Sequence, residues 1–296
     1  MRDTFSGYHP TINFLYFVLV LVFSMFFMHP VCLVISFACA FAYSVYLKGR
    51  KALKFGILVM LPMLLVTSLI NPAFNHQGNT ILTYLPSGNP LTLESIVYGV
   101  AAALMLIAVM SWFSCFNVVI TSDKFVYIFG RVIPALSLIL SMALRFVPRF
   151  KAQIKVISNA QKCIGRDISN GSILRRARQG LRILSIMITW TLEGAIETAD
   201  SMKGRGYGSP GRTAFSIFRF ERRDRAALIY LLVCGVYVVV GSALDGLYFR
   251  YFPTVKGVLA APYTISLYIV YTALCIMPVV LNVREDWKWK ATQSKI

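Results

Sequence analysis

Six stretches of this chain are apolar over lengths at or near what a helix needs to cross a bilayer, and they constrain its fold more than any other feature. They cover residues 11–28, 31–47, 55–70, 96–120, 226–244 and 258–281. Spanning the hydrocarbon core takes about 20 residues of helix, with about 17 as the practical minimum. The first two runs are separated by His29-Pro30, which leaves room only for a tight hairpin. The third is short and carries Pro62, so a kink or tilt is expected there. No small-residue cleavage site follows the first run, which therefore reads as a retained helix. The composition agrees: 57% of residues are hydrophobic and 14% charged, against about 25% charged in an ordinary soluble domain. This excludes a disordered chain and an ordinary soluble enzyme. Six cysteines in 296 residues are too sparse for a disulfide scaffold. The expected fold class is all-α, a polytopic membrane helical bundle of about six spans.

Lys and Arg set the expected orientation, because they concentrate in cytoplasmic loops. The loop after the second run carries Lys48, Arg50, Lys51 and Lys54, and the tail carries Arg284, Lys288, Lys290 and Lys295. Residues 71–90 carry neither Lys nor Arg, and 245–257 only Arg250 and Lys256. Both termini are then expected inside. Residues 121–225 must also be cytoplasmic. They hold 19 of the 30 basic residues and 7 of the 12 acids, so +12 of the net +18 lies in this one segment. Three parts follow: N-terminal membrane helices over 1–120, a basic cytoplasmic domain of long amphipathic helices over 121–225, and C-terminal membrane helices with a basic tail over 226–296. Two apolar runs inside the middle part, 132–147 and 181–192, are expected to lie along or dip into the inner face, since crossing would put eight basic residues outside.

The middle part has helical period. Phe150, Ile154, Ile157, Ala160 and Ile164 follow Pro148 on one helical face, and Asn170-Gly171 is expected to end that helix. A second helix is expected over about 174–203, with Leu184, Met187, Thr191, Ala195, Ala199 and Met202 on its apolar line. The glycines and proline of 204–211 stop it. Topology and attraction to anionic lipid account for most of the basic residues. They do not account for Arg205, at the carboxyl end of a long helix between Gly204 and Gly206. The helix dipole favours a cation there, and Arg binds carboxylates through a two-pronged fork.

Ala199-Asp200-Ser201-Met202-Lys203-Gly204-Arg205-Gly206-Tyr207-Gly208, followed by Arg212-Thr213, resembles a signature of the transmembrane T component of energy-coupling factor (ECF) transporters, a family that includes cobalt-transport permease subunits. That family has two short arginine-centred boxes at the ends of coupling helices. Here the second reads Gly204-Arg205-Gly206. Leu144-Arg145-Phe146-Val147-Pro148 resembles a further family motif just ahead of the coupling helices. The first box departs from the pattern. Ala160-Gln161-Lys162-Cys163-Ile164-Gly165-Arg166-Asp167 keeps Ala, Gln, Gly and Asp in step but places Ile164 where the arginine is expected. Arg166, flanked by Gly165 and Asp167, is taken as its substitute, with an Ile164-centred box as the alternative. The resemblance implies a non-catalytic subunit without cofactor or bound metal. Its two coupling-helix ends would dock on a pair of ABC-type ATPases, and its long helices would support a small substrate-binding membrane protein, the S component. The cargo would be a vitamin or a transition-metal ion, and the location a prokaryotic cell membrane.

No Gly-rich phosphate loop is present, so ATP must bind elsewhere. His9, His29 and His76 have no metal-ligand spacing, and His29 reads as a turn residue. The five cysteines within the apolar runs act as small hydrophobes. None of the six runs carries an acid well inside it, which counts against the main alternative, a self-sufficient secondary transporter. A nucleic-acid binder would interleave exposed aromatics with its basic residues, and no nucleic-acid partner is expected.

Overall fold

In the computed structural model of the chain, residues 3–84, 90–166, 172–207, 218–258 and 261–293 are described. Among them are nine helices: α1 (Pro10–Phe26), α2 (Pro30–Lys48), α3 (Arg50–Phe74), α4 (Leu93–Val119), α5 (Ser122–Val132), α6 (Pro134–Cys163), α7 (Ile173–Gly204), α8 (Arg222–Ala243) and α9 (Pro262–Gln293). A 3-10 turn over Phe5–Gly7 and two short antiparallel ladders accompany them: β1 (Ile81–Tyr84) with β2 (Pro90–Thr92), and β3 (Phe249–Arg250) with β4 (Lys256–Gly257). By length and composition α2, α3, α4, α8 and α9 can each cross a membrane. The 17-residue α1 stands at the lower limit. The chain is thus an all-α, multi-pass membrane protein.

It divides into two compact units, Ser122–Ile217 and the remainder. In the larger unit, α1 and α2 start alike. His9 and His29 each stand just before a proline at the first helical position, and each Nδ1 accepts the backbone N–H two residues on, at 3.3 Å. The proline has no N–H to satisfy and its φ is already helical, so His-Pro is a helix start as well as a hairpin signal. The third run is longer than its apolar stretch: α3 opens at Arg50 and passes through a π-helical turn over Gly56–Met60. The turn directly precedes Leu61-Pro62, where the missing proline N–H disturbs the hydrogen-bond ladder. The last run is displaced. α9 opens at Pro262 and continues to Gln293, because nothing in the charged stretch after Leu281 breaks a helix.

Aromatic side chains fill the core of this unit. Trp112 is fully buried, edge-on to Tyr16 and Phe17, and its indole N–H donates to Ser36 Oγ at 3.0 Å. Ser36 and Ser24 hydroxyls share a 2.6 Å hydrogen bond. Such close packing and internal bonds are what hold membrane helices together, since lipid gives no hydrophobic drive between them. The N-terminus is tied to α9 by Asn282. Its Oδ1 accepts from the Thr4 and Phe5 amides at 2.8 and 3.3 Å, and its Nδ2 donates to Asp3 Oδ1 at 2.7 Å. Glu94, in the first turn of α4, is buried and accepts the Thr80 hydroxyl at 2.9 Å.

The smaller unit consists of α5, α6 and α7. The apolar 132–147 stretch is broken at Ile133, and its residues 134–147 form one helix, α6, with the amphipathic segment after Pro148, running through that proline. The helix ends at Cys163, ahead of Asn170-Gly171, which lies outside the described residues.

Candidate functional site

The smaller unit presents two long helix ends, both built by the same local rule. α7 stops because Gly206 takes φ +71°, a left-handed conformation that costs glycine little. The Gly206 N–H then donates to the Lys203 carbonyl at 2.9 Å, and the Tyr207 N–H to the Met202 carbonyl at 3.0 Å. Arg205 is the capping residue between helix and turn, with φ −87° and ψ 7°. α6 stops in the same way. Gly165 takes φ +72°, its N–H donates to the Lys162 carbonyl at 3.0 Å, and the Arg166 N–H donates to the Gln161 carbonyl at 3.0 Å. Its capping residue is Ile164, with φ −94° and ψ 20°. Each cap satisfies two of the carbonyls that a helix end leaves without partners.

The two ends correspond residue for residue. Ile164, Gly165 and Arg166 stand where Arg205, Gly206 and Tyr207 stand. All three members of the first triplet are exposed, and so are Arg205 and Tyr207. Gly204 lies inside the last helical turn and needs no special conformation. Asp167 lies outside the described residues, as do Gly208–Gly211, Arg212 and Thr213.

α6 and α7 pack as an antiparallel pair. Moving forward along α6, Phe150 meets Trp190 edge-on at 6.1 Å, and Ile157 meets Ile183 and Met187 further back along α7. The Arg149 guanidinium lies over the Trp190 ring, 5.1 Å from its centre, a contact worth about 0.5–1 kcal/mol when exposed. Ile183 is buried here; Leu184, on the expected apolar line, instead lines an open groove with Ile154 and Ile188. Ile164 and Arg205 each lie about 20 Å along their helix from the Phe150–Trp190 contact, at 1.5 Å of rise per residue. The pair runs antiparallel, so the two ends point in opposite senses.

Arg145 and Phe146 line a cleft of about 570 Å³ together with Glu197, Ser201, Arg205 and Tyr207. Phe146 also stacks on Phe150 at 5.7 Å. The structure thus brings the Leu144–Pro148 motif to the foot of the second box, although the sequence separates them by some sixty residues. Gly165 and Arg166 take no part in that cleft. Leu144 and Pro148 are exposed on α6. Sequence reasoning missed Trp190, which anchors the helix contact; its place opposite Phe150 has no local signature. No group of three His, Cys, Asp or Glu among the described residues is placed to hold a metal ion.

Apolar spanning helices and a basic helical pair with two matching glycine-capped ends make this a multi-pass membrane protein. The sequence profile of the cobalt transport protein family CbiQ matches residues 5–215, and the chain belongs to that family. It is similar to proteins described as the energy-coupling factor transporter transmembrane protein EcfT. Identity is 34% with that of Lactobacillus helveticus, over 38% of this chain and 41% of the relative. With that of Streptococcus thermophilus it is 29%, over 61% and 72%. With that of Bacillus selenitireducens it is 25%, over 69% and 76%. The match thus spans less than half of the first relative's length and about three quarters of the last's. These relatives place the chain among the T components of ECF transporters.

Proposed function

We propose that this chain couples a pair of ABC-type ATPases to a separate membrane protein that binds the transported substrate. The observation that carries the reading is the pair of capped ends on one antiparallel helix pair, one of them displaying Arg205 between glycines. Closure of the ATPases on ATP would move both ends. Helices about 45 Å long that touch near their midpoints would convert that motion into a change of angle about Phe150 and Trp190. The open apolar groove beside the contact, about 480 Å³ and lined by Phe150, Ile154, Leu184 and Leu192 among others, offers a surface for the substrate-binding S component. The chain itself would bind no ATP and catalyse no reaction. Its cargo, a vitamin or a transition-metal ion, would be chosen by the S component. The positive-inside pattern puts residues 122–217 and both termini on the cytoplasmic side of a prokaryotic cell membrane.

Purification from native membranes in mild detergent, with identification of the partners by mass, tests this reading. Two ABC-type ATPase subunits and a small hydrophobic protein are expected. A lone homo-oligomer that transports when reconstituted in liposomes would overturn it.

A further inference from the structure

The two helix ends share a backbone conformation but not a chemistry. Each cap places its capping side chain at a similar angle to its own helix, because the capping dihedral angles agree within about 15°, the glycine φ angles within 1° and both hydrogen bonds within 0.1 Å. The second end offers a guanidinium at that position. The first offers Ile164, a branched apolar side chain that is 62% exposed at the tip of the helix. The cation of the first end, Arg166, comes two residues later, where the second end has Tyr207. Cation and apolar group have exchanged places across the glycine.

We propose that Ile164, and not Arg166, is the residue that α6 inserts into its ATPase, and that the groove receiving it is apolar. This rests on the coupling function proposed above. A single exposed isoleucine is ordinary on a protein surface; what distinguishes Ile164 is that it occupies the position of Arg205 on an equivalent cap. A groove shaped for a helix end of this geometry meets the capping side chain first. An apolar groove gains by burying Ile164 and would have to desolvate a guanidinium without a partner if arginine stood there. Arg166 and Lys162 then lie on the rim, where charges act mainly on the rate of encounter and its salt dependence. The grooves for the two ends are accordingly not interchangeable: Arg205 needs acceptors, and Ile164 needs their absence.

The test uses the full complex of this chain with its ATPases, purified in mild detergent, and compares single variants for ATPase retained per chain and for ATPase affinity. Ile164→Glu and Ile164→Arg are each expected to weaken ATPase binding at the α6 end by at least about tenfold, the equivalent of 1.4 kcal/mol. Ile164→Leu should stay within about twofold, and Arg166→Glu within about threefold with a changed salt dependence. Arg205→Glu serves as the reference loss at the other end. Release by Arg166→Glu with retention by Ile164→Glu overturns the proposal. So does an Ile164→Arg variant that binds as well as the unaltered chain, because the groove would then be of the arginine-accepting kind. If Arg205→Glu and Ile164→Glu both leave the ATPases bound, the coupling function itself falls. If only Arg205→Glu releases them, the coupling function stands and the assignment of Ile164 fails.

Discussion

Two glycines at the helix ends separate backbone strain from packing. Gly165 has φ +72°. A Cβ added there meets no atom within 4 Å, and the same holds for Gly204, which is helical. Alanine at 165 therefore costs only what a left-handed L-residue costs, about 1–2 kcal/mol. Alanine at 204, the last helical residue, gains up to about 0.8–1 kcal/mol, the value for a helix interior. The same substitution at two open positions should thus have opposite signs, separated by up to about 2–3 kcal/mol. Hydrogen exchange resolved along α6 and α7 in detergent reads this directly. In Gly165→Ala the amides of residues 165 and 166, which bond to the Lys162 and Gln161 carbonyls, should exchange about 5- to 30-fold faster, at 1.4 kcal/mol per tenfold. In Gly204→Ala the end of α7 should exchange a few-fold more slowly. Gly165→Asn should lie between, because asparagine tolerates this conformation better than alanine. Unchanged or slower exchange in Gly165→Ala would refute the cap as the device that ends α6, and with it the correspondence of Ile164 to Arg205.

Two further outcomes concern the larger unit. Asn282→Leu should destabilise the protein by about 2–4 kcal/mol, because the half-buried Thr4 and buried Phe5 amides lose their acceptor and Asp3 one of its donors; an unfolding midpoint in detergent within 1 °C of the unaltered chain, by roughly the usual scaling, would contradict this. His29, at the hairpin outside both flanking helices, has its pKa lowered by burial, partly opposed by a hydrogen bond with the Val258 backbone. The folded state thus favours neutral imidazole, whose Nδ1 accepts the Val31 N–H. The unfolded chain takes up a proton near pH 6.5, so stability from this group is present above that pH and is lost as pH falls below it. His29→Gln should remove that part of the acid sensitivity; identical pH profiles for the two chains between pH 7 and 5 would contradict the assignment.

The helices of the larger unit were legible because the requirement of lipid is one of length and apolarity, which a run of sequence displays. Their bounds were less so. The π-helical turn at Gly56–Met60 and the continuation of α9 past Leu281 are settled by hydrogen bonding and local helix preference, not by hydropathy. α6 passes through Pro148, since one missing N–H is tolerated in a helix held by Phe146, Phe150 and Trp190. At the candidate site the glycines pointed to the helix ends, and Arg205 was evident from its setting between two of them. The choice between Ile164 and Arg166 was not legible. Counting along the chain places both near the end of α6, and only the sign of φ at Gly165 shows which is the capping residue and which lies beyond the turn. The cleft joining Arg145 to Arg205 was equally hidden, because it arises from the antiparallel packing of two helices and from no spacing within either.

Coupling through the helix ends is tested most directly by a photo-reactive residue placed at position 205 in the full chain, irradiated in native membranes. The expected product is a covalent adduct with an ABC-type ATPase subunit, identified by mass, and it should be absent when the probe stands at Phe74, exposed at the end of α3 in the stretch without Lys or Arg that is expected on the far side of the membrane. Adducts only with lipid, or with a second copy of this chain, would contradict the account.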